Sequence, residues 1–238
     1  MQQLLIITPV KDSIDHTVRT MEAVVQSELD VQHRYVVFND NSTPENTARL
    51  HTEAARLGVE VVDLATLTDH PSPNYLFVLR RCRKEALADD AGLLIVESDV
   101  TVQRDTLQKL FDGATARPNC GIAAAVTVDE EGKINYPYLY ARGKEGQDYD
   151  CKKHCSFCCS LLTPALLKAC DFDRLDDSKN WFDVTISHDS LAAGPHNYLF
   201  CSLPVVHRPH GSRPWKQLKY TNPIKYYWTK WTKGFDKI

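Results

Sequence analysis

The chain of 238 residues lacks several features that would place it in other classes of protein. It has no continuous run of about 18 apolar residues, so we expect no membrane-spanning helix. Its N-terminus lacks the basic segment of a secretion signal, and its first apolar run ends at Lys11 and Asp12. The formal net charge of −3 shows no basic excess and argues against nucleic acid as a partner. Eight cysteines without an export signal favour reduced thiols and a cytoplasmic protein.

Glycine is missing from the loop that follows the first apolar run, Thr8-Pro9-Val10-Lys11-Asp12. A dinucleotide-binding fold needs a glycine-rich turn there, so that backbone amides can approach the pyrophosphate. The sequence also has no Walker-type phosphate loop. If the chain binds a nucleotide, another group must neutralise the diphosphate, and a metal ion bound by Asp99 is the candidate.

Apolar segments of strand and helix type alternate along the first half of the chain. Predicted strands cover residues 4–7, 34–38, 59–64, 91–99, 120–128 and 198–206, and predicted helices cover 13–28, 43–57, 75–89 and 181–193. Strands separated by single helices are typical of parallel βαβ units. The sequence therefore predicts an α/β protein with a doubly wound, mostly parallel sheet and helices on both faces.

The segment AGLLIVESDV, residues 91–100, is an apolar run that ends abruptly in Glu97, Ser98 and Asp99. An unbroken apolar run of this length predicts a strand buried on both faces. Open α/β sheets bind ligands at the carboxyl ends of their strands. Two carboxylates one residue apart repel each other, and a divalent cation relieves that repulsion. We interpret Glu97 and Asp99 as a metal-binding pair, although solvated acids at a strand end would show the same pattern.

Residues 136–152 are rich in tyrosine, glycine and charge, and they predict a long flexible loop of the kind that serves as a lid.

Five motifs, in order, resemble those of the family-2 glycosyltransferases, which have the GT-A fold. IITPVKD resembles their opening strand and loop, FNDNST resembles V-D-D-G-S-T, and VESDV occupies the place of their D-x-D motif. WFDVTISHDSLAAG resembles their E-D-V-D-L-S-L-R-A-x-A-A-G helix, and PVVHRPHGS resembles the strand and histidine that follow it. The resemblance covers about residues 3–213. It implies an enzyme, a hexosyltransferase, that moves a sugar from a nucleoside-diphosphate sugar to a hydroxyl acceptor with inversion.

The resemblance also implies a role for each matching position. The positions implied in nucleotide binding are Thr8, Pro9, Asp40, Arg81 and Ser98. The implied metal ligands are Asp99, Glu97 and a late histidine, for which His207 and His210 compete. The implied catalytic residue is Asp183, which would take the proton of the acceptor hydroxyl. Ligands that are mostly oxygen, with one imidazole, suit Mn²⁺ or Mg²⁺ as the cofactor.

Two positions depart from the pattern of the family, because Phe182 stands where Glu is usual and Thr185 replaces the following acid. Together with Glu97, these changes favour an alternative function, a non-catalytic module that binds sugar nucleotides or glycans.

Each implied residue also has a purely structural interpretation. Asp40 can serve a turn, and Asp183 can be a first-turn acid that the helix dipole favours. His207 and His210 can each be a solvated loop histidine, and Arg81 can belong to a charged helix face.

A cluster of cysteines offers a different interpretation. Cys151-x₃-Cys155-x₂-Cys158 has the spacing of the iron–sulfur triad of radical S-adenosylmethionine enzymes, although it lies late in the chain. A structural zinc site that includes His154 is a second alternative, and buried core thiols are a third.

The C-terminal segment TNPIKYYWTKWTKGFDKI interleaves aromatic and basic residues. This composition suits a membrane interface, so we hypothesise peripheral contact with the inner face of the membrane; docking on the body of the protein would use the same residues. We divide the chain into a nucleotide-binding half (1–115), an acceptor and catalytic half (116–214) and a basic aromatic tail (215–238). The acceptor class that fits is a glycan or a lipid-linked sugar.

Overall fold

The structure, a computed structural model, describes residues 1–178, 181–209, 218 and 222–232. The strands are β1 (Gln3–Val10), β2 (Gln32–Asn39), β3 (Glu60–Asp63), β4 (Gly92–Val96), β5 (Val100–Thr101), β6 (Cys120–Val128), β7 (Tyr149–Asp150), β8 (Cys159–Leu162) and β9 (His196–His207). The helices are α1 (Ile14–Val25), α2 (Pro44–Leu57), α3 (Tyr75–Ala88), α4 (Thr106–Thr115), α5 (Pro164–Ala169), α6 (Phe182–Ala193) and α7 (Pro223–Thr232). Short 3₁₀ turns occupy Leu64–Thr66, Leu139–Ala141 and Phe172–Arg174.

All the strands of the described residues belong to one sheet, in the order β3-β2-β1-β4-β8-β6-β9-β5, with β7 paired to β9. The ladders β3-β2-β1-β4 and β6-β9 are parallel and long, whereas β8 is antiparallel to both of its neighbours. This arrangement confirms the predicted α/β class with a mostly parallel sheet.

Helices cover both faces of this sheet. Along β1, Leu5 and Ile7 pack into a core that includes the apolar sides of α3, α5 and α6. Leu4 and Ile6 point to the opposite face and pack into a core that includes α4 and the end of α1. The alternation follows from the two-residue period of a strand, and it explains why β1 and β4 read as unbroken apolar runs.

Local sequence sets the ends of the helices where the motif predicts them. Thr43 accepts a hydrogen bond at its hydroxyl from the Asn46 amide (3.3 Å), and Pro44 occupies the first turn of α2. The helix ends at Gly58, whose φ of 69° is a left-handed conformation that glycine adopts without strain. None of the helices in the described residues is long and apolar enough to cross a membrane.

The segment 136–152 is packed against the protein at its two ends, whereas residues 142–148 are exposed, so the flexible lid stays a prediction for the middle of the segment. The Tyr138 side chain is fully buried, and its hydroxyl is hydrogen-bonded to the amide and the carbonyl of Ser156 (2.8 and 3.1 Å). The 3₁₀ turn and β7 also lie within this segment, and Tyr149 of β7 pairs with Leu199 of β9. The tyrosines of this segment therefore anchor its ends, and its glycines lie in the exposed middle.

The direction of β8 determines what meets at the carboxyl end of β4. Because β8 runs antiparallel to β4, Cys159 pairs with Val96, and the start of β8 lies beside the end of β4. The Glu97 amide accordingly donates to the Cys158 carbonyl (2.9 Å). The end of β9 reaches the same place, since His207 pairs with Val100 of β5.

Candidate active site

The two acids of the ESD sequence lie in a tight turn that joins β4 to β5. The Val100 amide donates to the Glu97 carbonyl (3.1 Å), which closes the turn. Glu97 and Asp99 lie after the end of β4, so the turn, and not the alternation of a strand, brings both carboxylates to the His207 imidazole. Asp99 is buried and Glu97 is half-buried.

His207 is held in one orientation by its backbone neighbours. Its Nδ1 lies 2.7 Å from the Tyr136 carbonyl oxygen, and since a carbonyl only accepts, Nδ1 carries the proton. The opposite nitrogen, Nε2, lies 3.4 Å from Asp99 Oδ2. A ring that donates from one nitrogen and presents the other to carboxylates is the arrangement typical of histidine ligands.

Cys158 completes the group of donor atoms, and sequence reasoning did not place it there. Its thiol donates to Glu97 Oε2 (3.3 Å), and its sulfur lies 4.0 Å from His207 Nε2. One ligand atom of each of these three residues lies within 4.8 Å of the other two. Because Cys158 groups with an acid and a histidine, the structure does not support the iron–sulfur triad with Cys151 and Cys155.

The close packing of these acids changes their pKa values. Burial raises the pKa of Glu97 to about 7, and the Asp99 charge adds to that effect, while His207 and the Cys158 thiol oppose it. Burial alone would lower the pKa of His207, but the hydrogen bond and charge of Asp99 outweigh it, and the pKa is raised. The group concentrates negative charge in a buried place, and its O, N and S donors fit a divalent cation.

Asp183 lies in the first turn of α6, directly after Phe182. Its charge adds to the effect of burial in raising the pKa of Glu97 and of Tyr75. Asp183 Oδ1 accepts a hydrogen bond from the Val184 amide (2.9 Å). Phe182, which departs from the family pattern, is buried and packs on the Tyr75 ring at 6.3 Å.

Tyr75 is the second residue that sequence reasoning missed. It opens α3, and its hydroxyl is buried without a hydrogen-bond partner among the described residues. Burial raises the pKa of Tyr75 well above its ordinary value, and the charges of Glu97 and Asp183 raise it further. The residue gave one sequence signal, its place at the predicted start of the helix over 75–89.

The loop before α3 engages the Asp40 carboxylate. Oδ2 accepts from the Ser72 hydroxyl (2.7 Å) and the Asn74 amide (2.9 Å), and Oδ1 accepts from the Asn74 side chain (2.8 Å). Lys11 donates to the backbone carbonyl of Asp40 (3.3 Å), which ties the first loop to the second. Asp40 therefore shapes the carboxyl edge of β2, the turn role that its sequence also permits.

Three residues implied in nucleotide binding have partners within the protein. Thr8 is fully buried, and its hydroxyl pairs with the Tyr35 hydroxyl at 2.9 Å. Ser98 is buried with its hydroxyl 3.3 Å from that of Ser13.

Arg81 is the third, and it lies on the α3 surface. Its Nε lies 2.8 Å from Glu85 Oε1, and Glu85 also pairs with Arg34 near the start of β2. The start of β2 is the end of the strand away from Asp40. This placement agrees with a charged helix face.

Two further positions complete the set. Pro9 lies at the end of β1, half-buried and opposite Phe38. His210, the alternative to His207 as the histidine ligand, lies outside the described residues.

No protein-family model matches this chain, and no curated protein matches it significantly in sequence. Solved structures do match. A mannosyltransferase from Pyrobaculum calidifontis, PcManGT, in complex with GDP-Man and Mn²⁺, has a TM-score of 0.64 at 14% identity and covers 95% of this chain. S. aureus TarS 1-349 in complex with UDP-GlcNAc has a TM-score of 0.62 at 13% identity over 87% of the chain.

A third structure, GalNAc-T7 with UDP, GalNAc and Mn²⁺, has a TM-score of 0.62 at 11% identity and covers 87% of this chain. The chain spans only part of each relative: 63% of the mannosyltransferase, 59% of TarS 1-349 and 44% of GalNAc-T7. At these identities the similarity shows the fold, which is that of the GT-A glycosyltransferases. The class of fold agrees with the resemblance seen in the motifs.

Proposed function

We propose that this chain is an inverting family-2 glycosyltransferase that moves a sugar from a nucleoside-diphosphate sugar to a hydroxyl of a glycan or lipid-linked acceptor. The observation that carries the proposal is the convergence of Glu97, Asp99, Cys158 and His207 at one sheet edge. On a GT-A fold, this edge is where an α/β sheet binds its ligand.

The residues that would hold a divalent ion, Mn²⁺ or Mg²⁺ in this proposal, are Glu97, Asp99 and His207. Two carboxylates and an imidazole of fixed orientation fit such an ion, and two of the solved structures with this fold contain Mn²⁺. When bound, the ion supplies positive charge that stabilises the departing diphosphate.

Asp183 is the proposed general base. A sugar hydroxyl is a weak nucleophile near neutral pH, so a carboxylate must accept its proton as the new C–O bond forms. The Asp183 carboxylate accepts a hydrogen bond from the Val184 amide, which holds it in the first turn of α6. Phe182, the residue before Asp183, packs on the Tyr75 ring and fixes the start of α6 against the start of α3.

The donor binds, in this proposal, to the first half of the chain, residues 1–115. Asp40 and Pro9 lie at the carboxyl ends of β2 and β1 and are the proposed contacts to the nucleoside. Each Asp40 oxygen already accepts internal hydrogen bonds, so Asp40 acts chiefly by holding the loop 72–74 in place. The acceptor binds, in this proposal, to the second half of the chain, residues 116–214, which contains Asp183.

Helix α7 supports peripheral membrane contact as part of the same proposal. Ile224, Tyr227, Trp228 and Trp231 follow the spacing of one helix face, and their exposed fractions lie between 61% and 85%. The helix contains lysines and no acidic residue. Exposed aromatic rings with lysines are complementary to an anionic lipid surface, so a membrane with anionic headgroups is the proposed partner.

A donor-cleavage assay tests the proposed activity. The protein is incubated with UDP- and GDP-sugars, Mn²⁺ and a panel of acceptors; released nucleoside diphosphate is measured, and product stereochemistry is read by NMR. Asp183→Asn should lower kcat by about 10²–10⁴-fold, the usual contribution of a general base. Asp189→Asn is the matched control, because Asp189 is an exposed acid on the same helix.

Full activity of the Asp183→Asn variant would remove the assigned base. Donor binding without release of nucleoside diphosphate from any donor, even with acceptors present, would favour the binding module over the enzyme.

A further inference from the structure

Cys158 places a sulfur atom in a group that otherwise offers oxygen and nitrogen. We propose that the Cys158 thiolate is a ligand of a bound Zn²⁺ ion, which it holds together with Glu97, Asp99 and His207 in a closed site with four protein ligands. This inference deepens the proposed function at the same site, but the binding step itself requires only the metal and the protein.

The distances between donor atoms fit such a site. Zinc binds sulfur at about 2.3 Å and nitrogen or oxygen at about 2.0–2.2 Å, so neighbouring ligand atoms in a tetrahedron lie about 3.3–3.6 Å apart. Cys158 Sγ lies 3.3 Å from Glu97 Oε2, and Asp99 Oδ2 lies 3.4 Å from His207 Nε2. A third separation, Sγ to Nε2, is 4.0 Å, about half an ångström longer than in a tetrahedron. One ligand atom each of Glu97, Cys158 and His207 lies within 4.8 Å of the other two, and Asp99 joins this group through its contact with His207.

The fold holds these donors in place before any ion binds. The Tyr136 carbonyl orients the His207 ring, and the Glu97 amide anchors the backbone of Cys158. Cys158, His207 and Asp99 are each at most 8% exposed, so little side-chain freedom is lost on binding. Metal ligands in proteins are typically held in place in this way, by hydrogen bonds from surrounding groups.

The sulfur changes the preference of the site. Carboxylates alone suit Mg²⁺ and Mn²⁺, whereas thiolate selects softer ions, and a set of sulfur, imidazole and carboxylate ligands favours Zn²⁺. With four protein ligands the coordination of Zn²⁺ is complete, as in structural zinc sites, whereas a catalytic ion needs an open position. If the proposed function holds, Zn²⁺ should therefore compete with Mn²⁺ and inhibit sugar transfer.

Metal spectroscopy on the full chain, without any nucleotide, tests the assignment. Co²⁺ serves as the optical probe, since a bound thiolate gives an intense near-ultraviolet charge-transfer band. We expect the band in the wild type and in Cys201→Ser, the control for a buried thiol outside the donor group, and its loss in Cys158→Ser. The Zn²⁺ dissociation constant of Cys158→Ser should rise at least about 10-fold, the smaller effect known for supporting residues.

X-ray absorption of the zinc-loaded wild type gives a reading that does not depend on the folding of a variant. One sulfur at about 2.3 Å supports the proposal, and a shell of nitrogen and oxygen alone overturns it. An unchanged Co²⁺ band in a folded Cys158→Ser also overturns it.

The two proposals fail separately. A zinc–sulfur bond in a protein that never cleaves a donor leaves the metal assignment standing and removes the enzyme. If the protein transfers sugar with Mn²⁺ but its bound zinc has no sulfur ligand, the enzyme proposal stands and the zinc assignment falls.

Discussion

Replacement of Tyr75 by phenylalanine should stabilise the protein and weaken its activity at the same time. The Tyr75 hydroxyl is buried without a partner among the described residues, and an unsatisfied buried polar group costs about 1–3 kcal/mol. Phenylalanine keeps the ring that packs on Phe182 and removes that cost. For a chain of this size each kcal/mol shifts Tm by about 2–4 °C, so the Tm of Tyr75→Phe should rise by about 2–12 °C.

The loss of activity follows from the place of Tyr75, whose ring packs on Phe182, the residue before Asp183. If this hydroxyl donates to a charged group of the bound substrate, its removal costs about 1.5–3 kcal/mol, or about 10–150-fold in kcat/KM. Thermal unfolding followed by circular dichroism gives Tm, and the donor-cleavage assay gives kcat/KM.

Tyr138→Phe is the matched control. The Tyr138 hydroxyl has two partners, the amide and carbonyl of Ser156, so its removal leaves both unsatisfied and should lower Tm. A fall in Tm for Tyr75→Phe would show that the hydroxyl is satisfied. A rise in Tm with unchanged kcat/KM would show that it does not serve the substrate.

Two further predictions concern charge and the C-terminal helix. Because the pKa of Glu97 rises from 4.5 to about 7 on folding, the folded metal-free protein binds the proton more tightly, and stability should fall as pH rises from about 4.5 to 7. Denaturant unfolding should show that slope, Glu97→Gln should flatten it, and an equal slope in the variant would refute the shift. Trp228→Ala/Trp231→Ala should abolish sedimentation with vesicles that contain phosphatidylserine, while Leu67→Ala, an exposed apolar residue on the body, should not. Equal sedimentation of all three proteins would discard the membrane contact.

The fold could be predicted wherever the apolar pattern is long. The runs that became β1, β2, β4 and β6 are buried, and their spacing by single helices gives a parallel sheet. The direction of β8 could not be predicted, because a strand of four residues carries no signal of its orientation. The two-residue strands β5 and β7 form through pairing with β9 alone and leave no pattern.

The candidate site divides in a similar way. Glu97, Asp99 and Asp183 stand in local motifs at the ends of elements, and their positions in the sheet follow from topology. Cys158 could not be assigned, because it meets Glu97 across 61 residues and His207 across 49. The direction of individual side chains could not be predicted either. The Thr8 hydroxyl, for example, pairs with the Tyr35 hydroxyl inside the protein.

The central claim is that the donor atoms beside β4 couple a divalent ion to a nucleoside diphosphate. Calorimetric titration of UDP and GDP, with and without Mn²⁺, tests it most directly in the wild type, Asp99→Asn and the control Arg81→Gln. We expect Mn²⁺ to tighten binding of one nucleotide at least about 10-fold, or about 1.4 kcal/mol, in the wild type and in Arg81→Gln, and to have no effect in Asp99→Asn. Binding in the wild type that does not depend on the metal, or an Asp99→Asn variant that keeps the full effect of Mn²⁺, would contradict the account.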